Sequence, residues 1–333
     1  MQTTVVGSYP VPDWLKAAPG AQALEDAMAL VLRAHERSGV DVIADGELGR
    51  WDLARNAPGG MVERFVRKMS GVQPFLTRLQ RQAFEARTDT RYRRNAPAVV
   101  VSEIGEGELD LVAQWRAVAK LGDAPLKFTL TSPYMMAKVV ADDHYGDLGT
   151  LALAFADVLA QQVRAIGCRV LQIDEPNLPG SPEDSVIAAE SINRVLDQAG
   201  AADETAVHLC FGNYGGQTIQ SGHYQELVAF LNSLRCDHLV LETTRRPAAE
   251  TERLQEVDAR IRLGLGVIDV KDLQVESPEL VARRIETFAR MFGESRIAYV
   301  HPDCGLQHLP RATADGKLRA LVEGRDLFLG RDS

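Results

Sequence analysis

The chain has 333 residues, 45% of them hydrophobic and 25% charged, and its formal net charge is −9. This composition is ordinary for a soluble globular protein: no apolar run is long enough to span a bilayer, and the acidic balance argues against an extended nucleic-acid surface. The sequence opens without a signal-peptide pattern, which predicts a cytoplasmic location. In that compartment Cys168, Cys210, Cys236 and Cys304 are expected to be thiols or metal ligands rather than disulfides.

Short runs rich in β-branched residues alternate with amphipathic stretches along most of the chain. The runs predict strands at Thr3–Ser8, Val40–Asp45, Lys127–Thr131, Arg169–Asp174, Ala206–Phe211, His238–Thr243, Arg262–Ile268 and Ile297–His301. The amphipathic stretches predict helices at Leu24–Ser38, Leu151–Ile166, Ser185–Ala199, Tyr224–Leu234 and Pro278–Phe292. This alternation indicates consecutive βαβ units and therefore a parallel sheet.

The number of these units favours an α/β fold of the closed (β/α)₈ type, a TIM barrel, and the chain length suits it. A doubly wound open sheet is the alternative, which is disfavoured because no G-x-G-x-x-G turn follows the first strand. No linker of Pro, Gly or Ser marks a second domain. Residues 1–333 are therefore expected to form a single barrel domain.

One long segment between the second and third predicted strands does not fit the repeat. We predict that Gly49–Leu121 is an inserted excursion over the barrel mouth, because long loops in compact domains are usually functional. The segment includes an extra predicted strand, Ala98–Glu103, and the basic run Arg91–Arg94. We interpret the basic run as a solvated loop, with contact to an anionic substrate tail as the alternative.

Polar residues occupy the predicted carboxyl ends of the strands, where the chemistry of a TIM barrel is concentrated. In chain order they are Ser8, Glu47, Thr131, Ser132, Asp174, Glu175, His208, Cys210, Glu242, Asp269 and Cys304. Ser132 and Asp269 also have a structural explanation, since both are suited to capping the helix that follows. The others indicate a binding or reaction site at this end of the barrel.

His208 and Cys210 lie two residues apart in a predicted strand, so their side chains share one face. Alone, this pair is typical of a buried histidine beside a structural cysteine. With Glu242 and Cys304 from two further strands it becomes a set of one imidazole, two thiolates and one carboxylate, which suits tetrahedral Zn²⁺. Zn²⁺ with three anionic ligands carries a net charge of −1, which favours holding a substrate thiolate over generating hydroxide.

The four predicted ligands lie within a series of short motifs that runs along the chain. In chain order they are VVGSYP, DGE, LTSP, QIDEP, HLCFGN, LETTR, GLGVID and PDCGL. The series resembles the catalytic C-terminal barrel of the cobalamin-independent methionine synthase family, in its short single-barrel form, over nearly the whole chain. The resemblance implies the same four zinc ligands, His208, Cys210, Glu242 and Cys304.

The resemblance also implies residues that hold the amino-acid end of homocysteine. Ser8 matches the residue that meets the carboxylate, and Glu47 and Asp174 match the carboxylates that take the ammonium. Charge-assisted hydrogen bonds of this kind are strong. The alternative for Glu47 and Asp174 is a structural pair with a nearby arginine, for instance Arg50.

Two positions depart from the family pattern, and both concern the methyl donor. Lys271, in GVIDVKD, stands where the family has a histidine that protonates the folate leaving group. Lysine is a weaker acid near neutral pH unless burial lowers its pKa, so neutralisation of Asp269 or another carboxylate is the alternative role. Val139 stands where the family has a tryptophan that stacks on folate, unless Tyr134 or Trp51 supplies that contact.

These observations predict a zinc-dependent methyltransferase that moves a methyl group to the thiol of homocysteine to form methionine. The expected partners are a small-molecule thiol and a methyl donor, folate or another, with no nucleic acid and no membrane. One alternative is alkylation of a different thiol or from a different donor, such as an epoxide with coenzyme M, methylcobalamin or a xenobiotic methyl group. The other alternative is a zinc storage or regulatory protein, which retention of Ser8, Glu47 and Asp174 argues against.

Overall fold

The structure is a computed structural model that describes residues 1–53, 57–58, 60–88, 90, 93, 95–213 and 216–331. Its strands are β1 Gln2–Thr3, β2 Trp51–Asp52, β3 Ala57–Pro58, β4 Ser70–Gln73, β5 Val99–Gly105, β6 Lys127–Thr131, β7 Ala141–Asp142, β8 Val170–Glu175, β9 Glu204–Leu209, β10 His238–Leu241, β11 Arg262–Ile268 and β12 Ile297–Pro302. Its helices are α1 Asp13–Ala17, α2 Ala21–Arg37, α3 Glu63–Val66, α4 Arg78–Glu85, α5 Leu111–Ala119, α6 Pro133–Val139, α7 Leu148–Val163, α8 Ser185–Leu196, α9 Tyr224–Ser233, α10 Ala248–Glu252, α11 Pro278–Phe292 and α12 Arg311–Leu329. Within these ranges no helix combines the length and the apolar character that a bilayer crossing requires.

The central sheet is parallel and curls into the predicted barrel. Seven strands pair in the order β1-β12-β11-β10-β9-β8-β6. Two isolated parallel bridges, Thr4 with Val42 and Ile43 with Leu126, join the two edges of this sheet through an eighth segment. The ring of eight parallel positions confirms the (β/α)₈ prediction, and all the carboxyl ends therefore meet on one face.

Side chains alternate between the two faces of β8, so one face packs against the surrounding helices and the other lines the barrel interior. Leu171 and Ile173 belong to the large cluster between the strands and the surrounding helices, whereas Val170 belongs to a small cluster inside the barrel. Gln172 and Asp174 share the inner face with Val170, since residues two apart point the same way. The outer face supplies the apolar burial, which leaves the inner face free to carry polar groups toward the mouth.

The predicted elements agree with the structure most closely where the sequence carries strong local signals. Lys127–Thr131, Arg262–Ile268 and Pro278–Phe292 have the predicted bounds. The last is a helix that begins with Pro at its first turn after the N-cap Ser277, whose hydroxyl accepts from the Leu280 amide, and ends at Gly293 with φ 85°. These are the sequence signals that start and stop helices.

The first two predicted strands are shorter than expected. The run at Thr3–Ser8 forms only Gln2–Thr3 as a strand, and Val40–Asp45 pairs only through its bridges. In the first run, buried side chains compete for the backbone carbonyls: Val5 O accepts from the Lys127 ammonium at 2.8 Å, and Val6 O accepts from the Gln172 amide at 2.8 Å. Side chains from inside the barrel thus replace part of the strand ladder.

The segment from Gly49 to Leu121 holds α3, α4, α5 and the strands β2 to β5. The predicted strand Ala98–Glu103 is found as β5, which pairs with β4 and β7 in a separate sheet. The Thr131 hydroxyl donates to Met61 O at 2.6 Å, so this part of the segment contacts the carboxyl end of β6. That the whole segment forms an excursion over the mouth stays a prediction. Of the basic run, Arg91, Tyr92 and Arg94 lie outside the described residues, whereas Arg93 pairs with Glu63.

Candidate metal centre

Three of the predicted ligands converge at the carboxyl face of the barrel. One ligand atom each from His208, Cys210 and Cys304 lies within 4.8 Å of the other two. His208 is in β9, Cys210 follows that strand directly, and Cys304 follows β12. The two Sγ atoms are 3.9 Å apart. An imidazole and two thiols at this separation are suited to a soft divalent metal.

The tautomer of His208 leaves one ring nitrogen available to such a metal. Nδ1 lies 2.8 Å from Val240 O, and a carbonyl can only accept, so Nδ1 carries the proton. In the neutral imidazole Nε2 is then unprotonated, and it is buried without a hydrogen-bond partner among the described residues. A buried nitrogen with a free lone pair is costly unless something binds it. Metal-binding histidines are oriented by a hydrogen bond of this type from the other ring nitrogen.

The two thiols differ in their ionisation. The hydrogen bond from Cys210 lowers the pKa of Cys304 well below its ordinary value, and His208 contributes in the same direction. The same contact, together with burial, raises the pKa of Cys210. Burial by itself would lower the pKa of His208, but the neighbouring Cys304 raises it. The cluster is therefore ready to hold negative charge on sulfur, which is the form that binds metals.

Glu242, the predicted fourth ligand, lies beside this cluster but is engaged elsewhere. Its Oε1 is 2.5 Å from Lys271 Nζ, and its Oε2 accepts from the Phe211 amide at 3.0 Å. Lys271 also donates to the Thr218 hydroxyl at 2.8 Å. The side chains of Lys271 and Glu242 are 2% and 1% exposed, so this is a buried ion pair. A ligand role for Glu242 stays a prediction.

The contacts of Lys271 show that the carboxylate it neutralises is that of Glu242. Its ammonium pairs with Glu242, whereas Asp269 accepts from Arg245 Nε at 2.7 Å and from the Lys271 backbone amide at 2.8 Å. The expected capping role of Ser132 is also found: its hydroxyl accepts from the Met135 amide at the start of α6. Asp269 instead accepts within its own turn.

Glu47 and Asp174 lie on either side of one buried arginine. Arg50 Nη1 is 3.0 Å from Glu47 Oε2, and Arg50 Nη2 is 3.9 Å from Asp174 Oδ2. Burial raises the pKa of Glu47 to about 7, with Arg50 opposing this and Asp174 adding to it. Burial also raises the pKa of Asp174, against the effect of His208 and Arg50. The pair with Arg50 is thus present, and a substrate role for the two carboxylates stays a prediction.

The backbone at Glu47 is strained. It has φ 58°, and among the described residues it is the one non-glycine with positive φ. Such a conformation costs roughly 1–3 kcal/mol and persists only where the surroundings impose it. The Thr129 hydroxyl donates to Glu47 Oε1 at 3.1 Å, which helps to hold the side chain at the mouth. Strain at this position is consistent with a site that is built for binding.

Ser8 lies against the loop that carries Cys304. Its carbonyl accepts from the Leu306 amide at 2.8 Å. A Cβ at Gly305 would lie 1.9 Å from Ser8 Oγ, so only glycine permits this approach. The structure therefore brings Ser8 next to the cluster, as the strand-end prediction required.

Asp303, beside Cys304, was not among the site residues predicted from the sequence. It is 2% exposed and accepts from the backbone amides of Thr243 and Thr244 at 2.9 and 3.1 Å, and from the Thr244 hydroxyl. These bonds tie the end of β12 to the end of β10 and so fix Cys304 relative to Glu242. Burial raises the pKa of Asp303 to about 7, and Glu242 adds to the shift. Its position in the PDCG run was the available signal.

Val139 and the two aromatic residues that could supply a folate-stacking contact, Tyr134 and Trp51, are all buried. Val139 is buried in α6. Tyr134 is fully buried and its hydroxyl donates to Asp184 at 2.7 Å, while Trp51 is 5% exposed. A pocket of about 1180 Å³ lies elsewhere, between the end of β5 and helices α7 and α8, and none of the predicted site residues lines it.

A parallel barrel with a histidine and two cysteines clustered at its carboxyl face defines a barrel enzyme with a candidate metal site. The model of the family described as "Cobalamin-independent synthase, Catalytic domain" matches residues 1–325. The chain therefore belongs to the cobalamin-independent methionine synthase family and is a methyltransferase, which confirms the resemblance seen in the motifs.

Individual relatives agree with this assignment. The chain is 29% identical to a methionine synthase of Thermococcus kodakarensis, with 98% of this chain and 93% of that protein aligned. It is also 29% identical to one of Sulfolobus acidocaldarius, with 97% and 91% aligned. A B12-independent methionine synthase from Shewanella sp. W3-18-1, solved in complex with selenomethionine, superposes with a TM-score of 0.82 at 25% identity over 99% of this chain and 98% of that one. A Listeria monocytogenes structure, at 18% identity over 98% of both chains and a TM-score of 0.72, shares the fold.

Proposed function

We propose that the protein transfers a methyl group to the thiol of homocysteine, forming methionine, and that the reaction depends on zinc. The observation that carries the proposal is the His208, Cys210 and Cys304 cluster, which lies on the same barrel face as Ser8, Glu47 and Asp174. One group of residues suits a thiol-binding metal, and the other suits the charged end of an amino acid. An amino-acid thiol satisfies both.

The residues proposed to hold zinc are His208, Cys210 and Cys304, with Glu242 as the fourth group. Their fit is supported by the unpartnered His208 Nε2 and by the lowered pKa of Cys304. Bound zinc would lower the pKa of the acceptor thiol and hold it as a nucleophilic thiolate. His208 and Cys210 are buried, which limits the access of competing water, whereas Cys304 is partly exposed.

The amino-acid end would bind between Glu47 and Asp174. With both carboxylates ionised and Arg50 protonated, these three groups carry one net negative charge, which one ammonium neutralises. Asp174 Oδ1 is occupied by Gln172, but Oδ2 is 3.9 Å from Arg50 and can accept from the substrate. Ser8 would meet the substrate carboxylate on the opposite side.

The proposed donor is 5-methyltetrahydrofolate, with methylcobalamin, an epoxide or a xenobiotic methyl group as alternatives. Valine at position 139 removes the stacking residue of the family, which is the observation that favours another donor. A panel settles the choice: zinc-loaded protein is given homocysteine or coenzyme M with each donor in turn, and product is measured. Methionine formation is expected; preferential alkylation of coenzyme M would contradict the proposed acceptor, and bound zinc without any product would favour storage.

Asp174→Asn should weaken binding of the amino-acid thiol much more than binding of a simple alkanethiol. The change removes a charge-assisted contact that typically contributes about 1.5–3 kcal/mol, which corresponds to roughly a tenfold to hundredfold rise in KM for homocysteine. The measurement compares KM for homocysteine and for ethanethiol in both proteins. Equal changes for the two thiols would show that Asp174 is a structural residue.

A further inference from the structure

A lysine lies inside the barrel, where it has both apolar and polar buried neighbours. Lys127 is 3% exposed, and no carboxylate oxygen of the described residues lies within 4 Å of its Nζ in an ion pair. Neighbouring inner positions hold Val170, Ala206 and Val240. Burying an ammonium costs several kcal/mol, and an apolar residue of similar volume would fill this space at lower cost. The lysine therefore needs an explanation beyond packing.

The contacts of Lys127 lead to one acceptor in particular. Its Nζ donates to Val5 O at 2.8 Å and to Gln172 Oε1 at 2.7 Å. Gln172 is fully buried, and its Nε2 donates to Val6 O at 2.8 Å and to Asp174 Oδ1 at 2.7 Å. The Gln172 amide thus donates through its NH₂ group to two acceptors and accepts through Oε1 from Lys127.

Three contacts together hold this amide in one orientation. Without the donation from Lys127, Oε1 would be a buried oxygen with no partner, and the side chain would lose one of the contacts that hold its NH₂ group against Asp174. With the lysine in place, only the NH₂ group can face Asp174. Asp174 Oδ1 is then anchored, and Oδ2 is left toward Arg50 and the mouth.

We propose that Lys127 and Gln172 are positioning residues that orient Asp174 for the ammonium of the acceptor. The chain of hydrogen bonds runs from the barrel interior to the mouth through Lys127, Gln172 and Asp174. Neither Lys127 nor Gln172 touches the acceptor. This inference rests on the proposed function, because the role assigned to these hydrogen bonds is to help bind an amino-acid thiol.

Lys127→Met is the first test, since methionine keeps the volume and removes the donors. KM for homocysteine should rise about tenfold with kcat little changed, and KM for ethanethiol should stay the same. The direction is informative. Loss of a nearby positive charge would strengthen the attraction of an ionised Asp174 for an ammonium, so a weaker affinity while Asp174 stays ionised indicates misalignment of its carboxylate. Tighter or unchanged homocysteine binding would overturn the proposal.

Thr3→Val is the matched control. Thr3 is fully buried at the opposite end of the barrel, where its hydroxyl donates to Asp41 at 2.9 Å. Its replacement removes a buried hydrogen bond without touching the chain to Asp174. The variant should lose stability, measured as Tm, without any change in the ratio of KM values for homocysteine and ethanethiol. An equal change of that ratio in Thr3→Val would mean that the effect of Lys127→Met is only structural.

Gln172→Met and the double variant test the connection itself. Because both residues act through one path, the double variant should bind homocysteine no more weakly than Gln172→Met alone. Additive losses would show that Lys127 acts separately from Gln172, against the proposal.

A crystal structure of Lys127→Met decides the point without reference to any substrate. The Gln172 side chain should have moved from its position, and the contact between Gln172 and Asp174 Oδ1 should be lost. An unchanged Asp174 would overturn the positioning role even if homocysteine is the acceptor. Conversely, if the unaltered protein binds no homocysteine, the proposed function fails while the crystal structure still tests the orientation of Asp174.

Discussion

Cys304→Ser is expected to abolish both metal binding and methyl transfer. The unaltered protein should retain about one zinc ion per chain through dialysis, and the variant close to none, because serine does not provide the thiolate that a soft metal requires. Cys304 is the thiol whose pKa is lowered, by Cys210 first and then by His208, so it contributes the negative charge of the cluster. Elemental analysis of the dialysed proteins measures the effect.

Cys236→Ser provides the matched control. Cys236 is a buried thiol, 7% exposed, that lies outside the cluster of possible ligands. This variant should keep its zinc and its activity, although it can lose some stability. Full zinc content in both Cys304→Ser and Cys210→Ser would remove the cysteines from the site and contradict the proposed function.

Lys271→Ala is expected to have the second-largest effect, and its dependence on the donor reveals the role of the lysine. If Lys271 protonates the leaving group, the rate with methyltetrahydrofolate should fall by a factor of about 10²–10⁴, the usual contribution of general acid catalysis. Methylcobalamin, whose leaving group needs no proton, should react at nearly the same rate in both proteins. Initial rates with the two donors are the measurement.

If Lys271 acts instead as the counter-ion of the buried Glu242, a different result is expected. Lys271 Nζ lies 2.5 Å from Glu242 Oε1, so its removal leaves a buried carboxylate without its counter-ion. Removing one partner of a buried pair is strongly destabilising. In that case Tm falls and every donor's rate falls alike, which would exclude Lys271 as the acid.

Lys271→His restores the residue that the family carries. A gain of folate-dependent activity in this variant would show that the barrel is otherwise competent for folate and that the natural donor is a different one. Loss of activity with all donors would instead assign the lysine to its pair with Glu242.

Several features of the site were predictable because they depend on local sequence alone. His208 and Cys210 had to share a face once the run was recognised as a strand, since side chains alternate with a period of two. Cys304 and Ser8 had to reach the same end of the barrel, because parallel strands bring their carboxyl ends to one face. The helix signals at Ser277, Pro278 and Gly293 fixed the bounds of α11 for the same local reason.

Other features depended on contacts between residues far apart in the chain. The first strand is short because Lys127 and Gln172 take the carbonyls of Val5 and Val6, over a separation of more than a hundred residues. No local pattern reports such competition. Asp303 was missed for the same reason, since its partners, Thr243 and Thr244, belong to another strand end.

By itself, therefore, the sequence determined the barrel, the face on which the polar residues gather and the chemical character of the cluster. Only the tertiary structure decided how the charges are paired: Arg50 between Glu47 and Asp174, and Lys271 with Glu242 rather than Asp269. The physical reason is that periodicity assigns a side chain to a face, whereas the partner of a buried charge depends on which opposite charge the folded chain brings within 2.5–3.9 Å of it. Those distances depend on how the loops after each strand fold over the mouth.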